Sequence, residues 1–341
     1  EKSLAHSFCQ FIQCFLRIPR PHRQKCVGMF RLAMGGFVGS IWVGEKFPDT
    51  LNRAFRNREG AIFAFRGFSL AKKAGIIRKM KGESAMRIVV KIGTSTLAYA
   101  TGQLNIRRVE ALCKTMSDIR NAGHELILVS SGAIGMGVGK LGLRARPRDI
   151  PTKQAAAAVG QCELMYIYDK LFSEYHHTVA QLLITADNLS NETRHANFTN
   201  TLNRLLELGV VPVINENDTV ATDEIVIGDN DTLAARVAES VGANLLVLLS
   251  DIDGLYTADP HADPTAKLLP VVRRVDDSIR SLAGVSSTDQ GTGGMVTKLR
   301  AAEICLSCGC EMVIANGNEP TLLYDIVAGK PVGTRFVRES V

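Results

Sequence analysis

The sequence predicts an α/β fold in which a mostly parallel sheet is covered by helices on both faces. From Met86 onward, short continuous apolar segments alternate with longer segments of helical period, as in sheets whose strands are buried on both sides. Nearly all of the apolar segments end in glycine or small polar residues. Ligands bind beyond the carboxyl ends of the strands in such sheets, so we expect a glycine-rich site along one sheet edge.

Each predicted strand is a short apolar run bounded by glycine, proline or polar residues. The runs are 87–92 (RIVVKI), 125–130 (ELILVS), 179–184 (VAQLLI), 210–214 (VVPVI), 245–249 (LLVLL) and 312–315 (MVIA). The intervening segments repeat apolar residues at helical spacing. They predict helices near 105–122, 152–174, 191–208, 230–241, 295–308 and 319–328.

Residues 1–85 differ in composition from the rest of the chain. They hold 16 Lys and Arg against 5 Asp and Glu, whereas residues 86–341 hold 24 against 29. They show no sustained helical or alternating period, and the segment KGESAM that ends at Met86 can be encoded by a bacterial ribosome-binding sequence. We therefore expect a native start at Met86 and a non-native or disordered basic extension before it. A basic arm that binds nucleic acid or a membrane surface is the alternative.

Membrane-spanning and metal-cluster proteins are disfavoured by the sequence. It contains no run of about 18 apolar residues that could form a spanning helix. Cys305, Cys308 and Cys310 lack a second ligand pair at zinc-like spacing, and a helix that ends near Gly309 before a buried strand favours packed thiols instead. We expect a cytoplasmic protein with free thiols.

Two lysines lie beside glycine-rich segments. Lys91 ends an apolar strand, where lysine is seldom found without a reason, and Gly93 follows it. Lys298 ends the segment DQGTGGMVTK (289–298), in the first turn of a predicted helix, where a cation is disfavoured unless an anion is near. The segment SSGAIGMG (130–137) opens another helix, whose free N–H groups could hold an anion. Neither a Rossmann fingerprint nor a Walker A motif is present.

The segment NENDTVATDEIVIGDND (215–231) carries six acidic residues and no Lys or Arg. A metal ion, the ammonium group of a substrate, or lysines from elsewhere in the chain could offset their repulsion; the EF-hand pattern is absent. Lysines and N–H groups suit a polyphosphate, whose oxygens Mg²⁺ bridges, and the carboxylates could position lysines or hold an ammonium group. The sequence thus favours phosphoryl transfer from a nucleotide to a small amino acid. An acidic solvated face is the alternative.

Seven segments occur in the order found in the glutamate 5-kinases, and the chain resembles that group of the amino acid kinase family over essentially all of 86–337. They are VVKIGTS, SSGAIGMG, KQAAAAVGQ, PVINENDTVAT, GDND, SDIDGLYTADP and GTGGMVTKL. PVINENDTVAT followed by GDND is the most specific part. The resemblance implies a three-layer αβα sandwich and ATP-dependent phosphorylation of the γ-carboxylate of L-glutamate, the first step of proline biosynthesis.

The resemblance also implies a role for each motif residue. Lys91 and Lys298 would neutralise the transferring phosphoryl group, and Asp231 would organise the two lysines. Glutamate would be bound by Ser131, Asp218, Asp229 and Asn230. ATP would be bound by Lys91, Gly93, Ser250, Asp251, Thr292, Gly293, Gly294, Met295, Val296, Thr297 and Lys298. Mg²⁺ would be bound through ATP, without a direct protein ligand.

Partners and departures follow from the same resemblance. It implies proline as a feedback inhibitor and a homo-oligomeric assembly, with no membrane and no nucleic acid as partners. Many relatives continue into a C-terminal PUA domain, whereas this sequence stops shortly after GTRFV (333–337); we expect either a naturally short form or a truncated end. Val296 stands where a small polar residue is common. Two alternatives to a glutamate kinase stay open. One is a non-catalytic amino acid sensor on the same fold, and the other is a related kinase that acts on another carboxylate.

Overall fold

A mainly parallel sheet of eight strands forms the centre of the described structure. The computed structural model describes residues 85–99, 103–221, 230–260, 262–283 and 294–338, which lie in one unit, Ala85–Val341. Its strands are β1 (Arg87–Ile92), β2 (Glu125–Ser130), β3 (Val179–Ile184), β4 (Val211–Glu216), β5 (Leu245–Ser250), β6 (Val271–Val272), β7 (Glu311–Asn316) and β8 (Thr334–Phe336). Their order is β3-β4-β2-β1-β5-β7-β8-β6. Only the β7–β8 pair is antiparallel among these strands.

Helices connect the parallel strands. In the described residues they are α1 (Thr94–Leu97), α2 (Ile106–Asn121), α3 (Ala133–Lys140), α4 (Ile150–Ser173), α5 (Ala186–Ser190), α6 (Glu192–Glu207), α7 (Asn230–Ser240), α8 (Asp277–Leu282), α9 (Met295–Cys308) and α10 (Leu322–Val327). Within this part of the chain, no helix has the length and apolar character that crossing a bilayer requires.

The sheet separates two apolar cores, which makes the fold a three-layer α/β sandwich. Successive side chains of a strand point to opposite faces, and β1 shows this directly. Val89 packs in one core with the buried residues of α6, α7 and α9. Ile88 and Val90 pack in the other core with those of α2, α4 and α10. Burial of β1 on both faces explains its continuous apolar sequence.

The six predicted strands and the six predicted helices are confirmed, with ends shifted by up to three residues. The sequence did not predict β6 and β8, which are too short to show a period. The helix end near Gly309 is also confirmed, because α9 ends at Cys308 and Gly309 has a φ of 77°, a left-handed conformation that glycine adopts without strain. Cys305 and Cys310 are buried there. A native start at Met86 stays a prediction, since residues 1–84 lie outside the described residues.

Candidate active site

Lys91 brings a positive charge to the carboxyl end of the central strand. It is the fifth residue of β1, which is hydrogen-bonded to β2 on one side and to β5 on the other. Only 9 % of its surface is exposed. Its Nζ atom lies 2.6 Å from Oδ1 of Asp231. A lysine buried to this extent requires such a partner.

Asp231 lies in the first turn of α7 and holds both predicted lysines. The Lys298 Nζ atom lies 3.1 Å from Asp231 Oδ2, and Thr297 Oγ1 donates a hydrogen bond of 3.0 Å to the same oxygen. Asp231 is 1 % exposed and Lys298 is 5 % exposed. One carboxylate thus joins an ammonium group from β1 to an ammonium group from α9, leaving one net positive charge in a nearly dry cluster.

The electrostatics of the cluster favour an ionised Asp231. Burial raises the pKa of this carboxyl, but the charges and hydrogen bonds of Lys91 and Lys298 lower the pKa by more, so it lies well below its ordinary value of 3.8. The start of a helix also favours a carboxylate. Lys298 lies in the first turn of α9, where the helix dipole opposes a cation, and Asp231 supplies the anion that offsets this cost. Of the three cations considered for the acidic segment, lysines from elsewhere in the chain are the ones found at Asp231.

Ser131 and Asn230 come together beside this cluster. Ser131 follows β2, and its backbone N–H donates to the Ile92 carbonyl at 3.1 Å. Asn230 begins α7, directly before Asp231, and its Nδ2 atom donates to Ser131 Oγ at 2.8 Å and to Asn215 Oδ1 at 3.2 Å. Two of the predicted substrate-binding residues are therefore in direct contact.

Asp218 lines a narrow pocket near the end of β4. The polar part of the lining consists of Gln161, Glu216, Asn217, Asp218 and Thr219. Ala133, the first residue of α3, contributes to the apolar part. Asp218 is half-buried, and its role in binding a substrate stays a prediction. The fourth predicted substrate-binding residue, Asp229, lies outside the described residues.

Close packing of α3 on α4 sets the shape of this side of the site. A Cβ atom added to Gly137 would collide with the Ala156 carbonyl, and one added to Gly160 would collide with the Ala133 carbonyl. Both positions therefore require glycine. Gly132, between Ser131 and α3, has a φ of 100°, a left-handed conformation that glycine adopts without strain.

The predicted nucleotide-binding residues lie on the β5 and α9 side of Lys91. Ser250 ends β5 and donates a hydrogen bond of 3.0 Å to the exposed Asp251. A Cβ atom at Gly93 would lie 3.9 Å from Lys91 Nζ. Gly294 precedes α9 and is exposed, and so is Val296. Met295, Thr297 and Lys298 are buried. Thr292 and Gly293 lie outside the described residues, so their role stays a prediction.

Comparison with known proteins identifies the family. The model of the "Amino acid kinase family" matches residues 86–316. The chain belongs to the amino acid kinase family. Solved structures agree with this fold. A carbamate kinase from Giardia lamblia bound to AMP-PNP aligns with a TM-score of 0.55 at 16 % identity, and the alignment covers 75 % of this chain and 99 % of that one. A UMP kinase from Bacillus anthracis aligns with a TM-score of 0.51 at 16 % identity, over 75 % and 97 % of the two chains.

Curated relatives within the amino acid kinase family confirm the resemblance to glutamate 5-kinases. "Glutamate 5-kinase" of Clostridium perfringens is 51 % identical over 259 residues, which are 75 % of this chain and 96 % of that protein. "Glutamate 5-kinase" of Lactiplantibacillus plantarum is 49 % identical over 265 residues, 76 % of this chain and 99 % of that protein. That of Caldanaerobacter subterraneus subsp. tengcongensis is 52 % identical over 252 residues, 74 % of this chain and 68 % of that protein.

Four polar residues next to the site of this amino acid kinase were not predicted: Ser130, Gln161, Tyr168 and Asn215. Each is buried, and each is hydrogen-bonded to another of them or to a predicted site residue. Ser130, Gln161 and Asn215 lie within quoted motifs. Each follows a run of apolar residues, and a polar residue at such a position was the available signal. Tyr168 lies in a helical segment without any motif, so the sequence offered no signal for it.

Proposed function

We propose that this protein transfers the γ-phosphoryl group of ATP to the γ-carboxylate of L-glutamate, forming L-glutamyl 5-phosphate in the first step of proline biosynthesis. Relatives at about 50 % identity that are named glutamate 5-kinase support this reaction. The geometry that carries the proposal is the Lys91–Asp231–Lys298 cluster, with ion-pair distances of 2.6 and 3.1 Å. It holds two ammonium groups at fixed positions for one phosphoryl group.

The two lysines act on charge in the transition state. Phosphoryl transfer passes through a loose transition state in which negative charge is spread over the transferred group. Lys91 approaches this group from β1 and Lys298 from α9, and Asp231 keeps both ammonium groups oriented before the substrate arrives. Because the positions are set in advance, little reorganisation is needed during the reaction.

The acceptor needs orientation and no general base. A γ-carboxylate with a pKa of about 4.3 is ionised at neutral pH, so it is its own nucleophile, and positioning supplies the remaining rate enhancement. Ser131 and Asn230 would hold the polar groups of glutamate, and Asp218 would attract its ammonium group. Asp229 is proposed for the same attraction on sequence grounds.

ATP would be bound on the opposite side of Lys91. Ser250, Asp251 and Gly93 follow β5 and β1, and the segment that leads into α9 can approach a phosphate chain closely because Thr292–Gly294 is rich in glycine. Mg²⁺ would neutralise charge on the phosphate oxygens of ATP. Both oxygens of Asp231 are engaged by lysines, which suits an ion bound through ATP and not through this carboxylate.

Further properties are proposed from the same family membership. Proline would act as a feedback inhibitor, because glutamate phosphorylation commits the substrate to its synthesis, and the protein would form a homo-oligomer. Its substrates, ATP and glutamate, suit a location in the cytoplasm. We also propose that residues 86–337 are the catalytic unit and that residues 1–85 are dispensable for activity.

Hydroxylamine trapping tests the proposed reaction. The full chain and a version starting at Met86 would be incubated with MgATP, hydroxylamine and either glutamate, N-acetylglutamate or aspartate. We expect hydroxamate with glutamate alone, from both proteins. Hydroxamate with another acceptor would favour a related carboxylate kinase. No product with any acceptor would favour a non-catalytic sensor, which binding of glutamate without turnover would then identify.

A further inference from the structure

Helix α4 presents two buried polar side chains to the sheet where an apolar surface would suffice for packing. Gln161 and Tyr168 are seven residues apart, two helical turns, and therefore lie on one face of α4. Their neighbours on this face are apolar: Ala157, Leu164 and Phe172 are all buried. An amide and a phenol cost free energy when buried unless they are hydrogen-bonded. Their partners are found at the carboxyl ends of β4 and β2.

Gln161 holds the Asn215 side chain in the orientation that a neighbouring backbone N–H group assigns. The Asn215 Nδ2 atom donates to Gln161 Oε1 at 2.9 Å, and the backbone N–H of Glu216 donates to Asn215 Oδ1 at 2.9 Å. A backbone N–H can only donate, so the oxygen of the Asn215 amide must face it. Both ends of this amide are thereby assigned.

The orientation of Asn215 in turn assigns Asn230. Asn215 Oδ1 can only accept, so the group that faces it from Asn230 is the donor Nδ2, at 3.2 Å. The same Nδ2 donates to Ser131 Oγ at 2.8 Å. Asn230 Oδ1 therefore points away from these two acceptors and is presented as an acceptor itself. Ser131 Oγ, having accepted from Asn230, keeps its own hydrogen to donate.

Tyr168 holds the other side of the same turn. The Ser130 hydroxyl donates to the Ser131 carbonyl at 3.1 Å. Its single hydrogen is used there, so the Tyr168 hydroxyl is the donor in the contact of 2.8 Å with Ser130 Oγ. Tyr168 thus fixes Ser130, and Ser130 fixes the peptide group that joins Ser131 to Gly132.

We propose that Gln161 and Tyr168 are positioning residues that maintain the hydrogen-bonding polarity of the acceptor site. Through Asn215 and Asn230, Gln161 presents an oxygen that accepts from the ammonium group of an α-amino acid. Through Ser130, Tyr168 holds the Ser131 hydroxyl where it donates to a carboxylate. This assignment rests on the proposed function, since it concerns the binding of glutamate. It gives two residues on a helix behind the sheet a role in selecting an amino acid.

Two substitutions of Gln161 separate this role from packing. Gln161→Leu fills the space with an apolar group but offers Asn215 no acceptor. Gln161→Glu keeps an acceptor oxygen in either protonation state. A packing role predicts that Leu is tolerated better than Glu, because Glu adds a polar or charged group to an apolar face. The positioning role predicts the reverse order for the affinity for glutamate.

The measurements are the Kd of glutamate by calorimetry, and KM for glutamate, KM for ATP and kcat by hydroxamate formation, all in the full chain. For Gln161→Leu we expect the Kd and KM of glutamate to rise about tenfold, as for loss of one hydrogen bond to a charged group, with KM for ATP unchanged. Gln161→Glu should restore affinity to within about threefold of the unsubstituted protein. Gln181→Leu, on the exposed face of edge strand β3, is the control and should change neither constant.

Tyr168→Phe provides a second variant that keeps the packing. It removes only the hydroxyl that donates to Ser130, and we expect the Kd of glutamate to rise about two- to tenfold. Urea unfolding of each variant shows whether the fold is retained. Unchanged glutamate affinity in folded Gln161→Leu and Tyr168→Phe, or Gln161→Glu weaker than Gln161→Leu, would overturn the proposal. If the unsubstituted protein binds glutamate but forms no hydroxamate, the proposed reaction is rejected, and the Kd values still decide the role of Gln161. If it neither binds glutamate nor forms hydroxamate, both the proposed reaction and the positioning role are rejected.

Discussion

Asp231→Asn, compared with Lys298→Met, separates the structural role of the lysine cluster from its proposed catalytic role. Asparagine keeps the size of the side chain but removes the charge that pairs two buried ammonium groups, at 2.6 and 3.1 Å. Breaking a buried ion pair by removing one partner costs about 3–5 kcal/mol. Domains of this kind are stable by about 5–15 kcal/mol, so the variant should fold with a reduced margin.

The expected loss can be measured as a shift of the urea midpoint. With a slope of about 3 kcal/mol per molar urea, at the upper end of the usual range, a loss of 3–5 kcal/mol lowers the midpoint by about 1–2 M. Activity should fall by at least about a hundredfold, because two stabilising charges lose their orientation. The comparison is Lys298→Met, in which Asp231 keeps Lys91 as a partner. This variant should lose activity to a similar extent but shift the midpoint by less.

A midpoint for Asp231→Asn that matches the unsubstituted protein would refute this reasoning, because it would mean that the two lysines do not depend on the carboxylate. Equal destabilisation by Lys298→Met and Asp231→Asn would also contradict it, since the structure predicts one remaining ion pair in the first variant and none in the second.

Three further predictions concern the same site. Lys298→Ala should lower kcat by about 10²–10³-fold, as for loss of one group that stabilises transition-state charge. Lys330→Ala, on the surface, is the control and should leave kcat unchanged. A normal kcat for Lys298→Ala would mean that the site is misplaced. Asp218→Ala should mainly raise KM for glutamate, by about tenfold or more. Asp325→Ala, which removes another half-buried carboxylate, on α10, is the control. A loss confined to kcat would argue against substrate binding by Asp218. Folding lowers the pKa of the Asp231 carboxyl from its ordinary 3.8. As the pH falls, the unfolded chain therefore protonates this carboxyl before the folded protein does. The stability that ionised Asp231 supplies is present above about pH 4 and is lost below it. The difference in urea midpoint between the unsubstituted protein and Asp231→Asn should therefore be constant from pH 7 to pH 5 and shrink as the pH falls below 4, and a difference that grows on acidification would contradict the assigned direction.

Much of the fold was predictable because its strands are buried on both faces. The segment RIVVKI predicts β1 with both ends correct, since a continuous apolar run between polar segments has few other structures available. The two-residue strand β6 was not predictable, because its residues Val271 and Val272 pair with β8 only through tertiary structure. Local patterns carry no information about such a pairing.

The cluster of Lys91, Asp231 and Lys298 was predictable in its members but not in its geometry. Lys91 in an apolar strand and Lys298 at a helix start are each unfavourable alone, and such local conflicts indicate a functional partner. The resemblance supplied Asp231 as that partner, and the structure joins all three. Gln161 and Tyr168 could not be assigned in advance, because their significance depends on which strand ends face α4.

In the proposed mechanism, one buried carboxylate holds two lysines on a single transferring phosphoryl group. A crystal structure with ADP, Mg²⁺, glutamate and aluminium fluoride tests it most directly, because aluminium fluoride takes the place of the group in transfer. We expect the Nζ atoms of Lys91 and Lys298 both to contact the fluoride atoms while remaining bonded to Asp231, with the glutamate γ-carboxylate in line beside Ser131 and Asn230. A complex in which either lysine leaves Asp231 or makes no contact with the fluoride atoms would contradict the account.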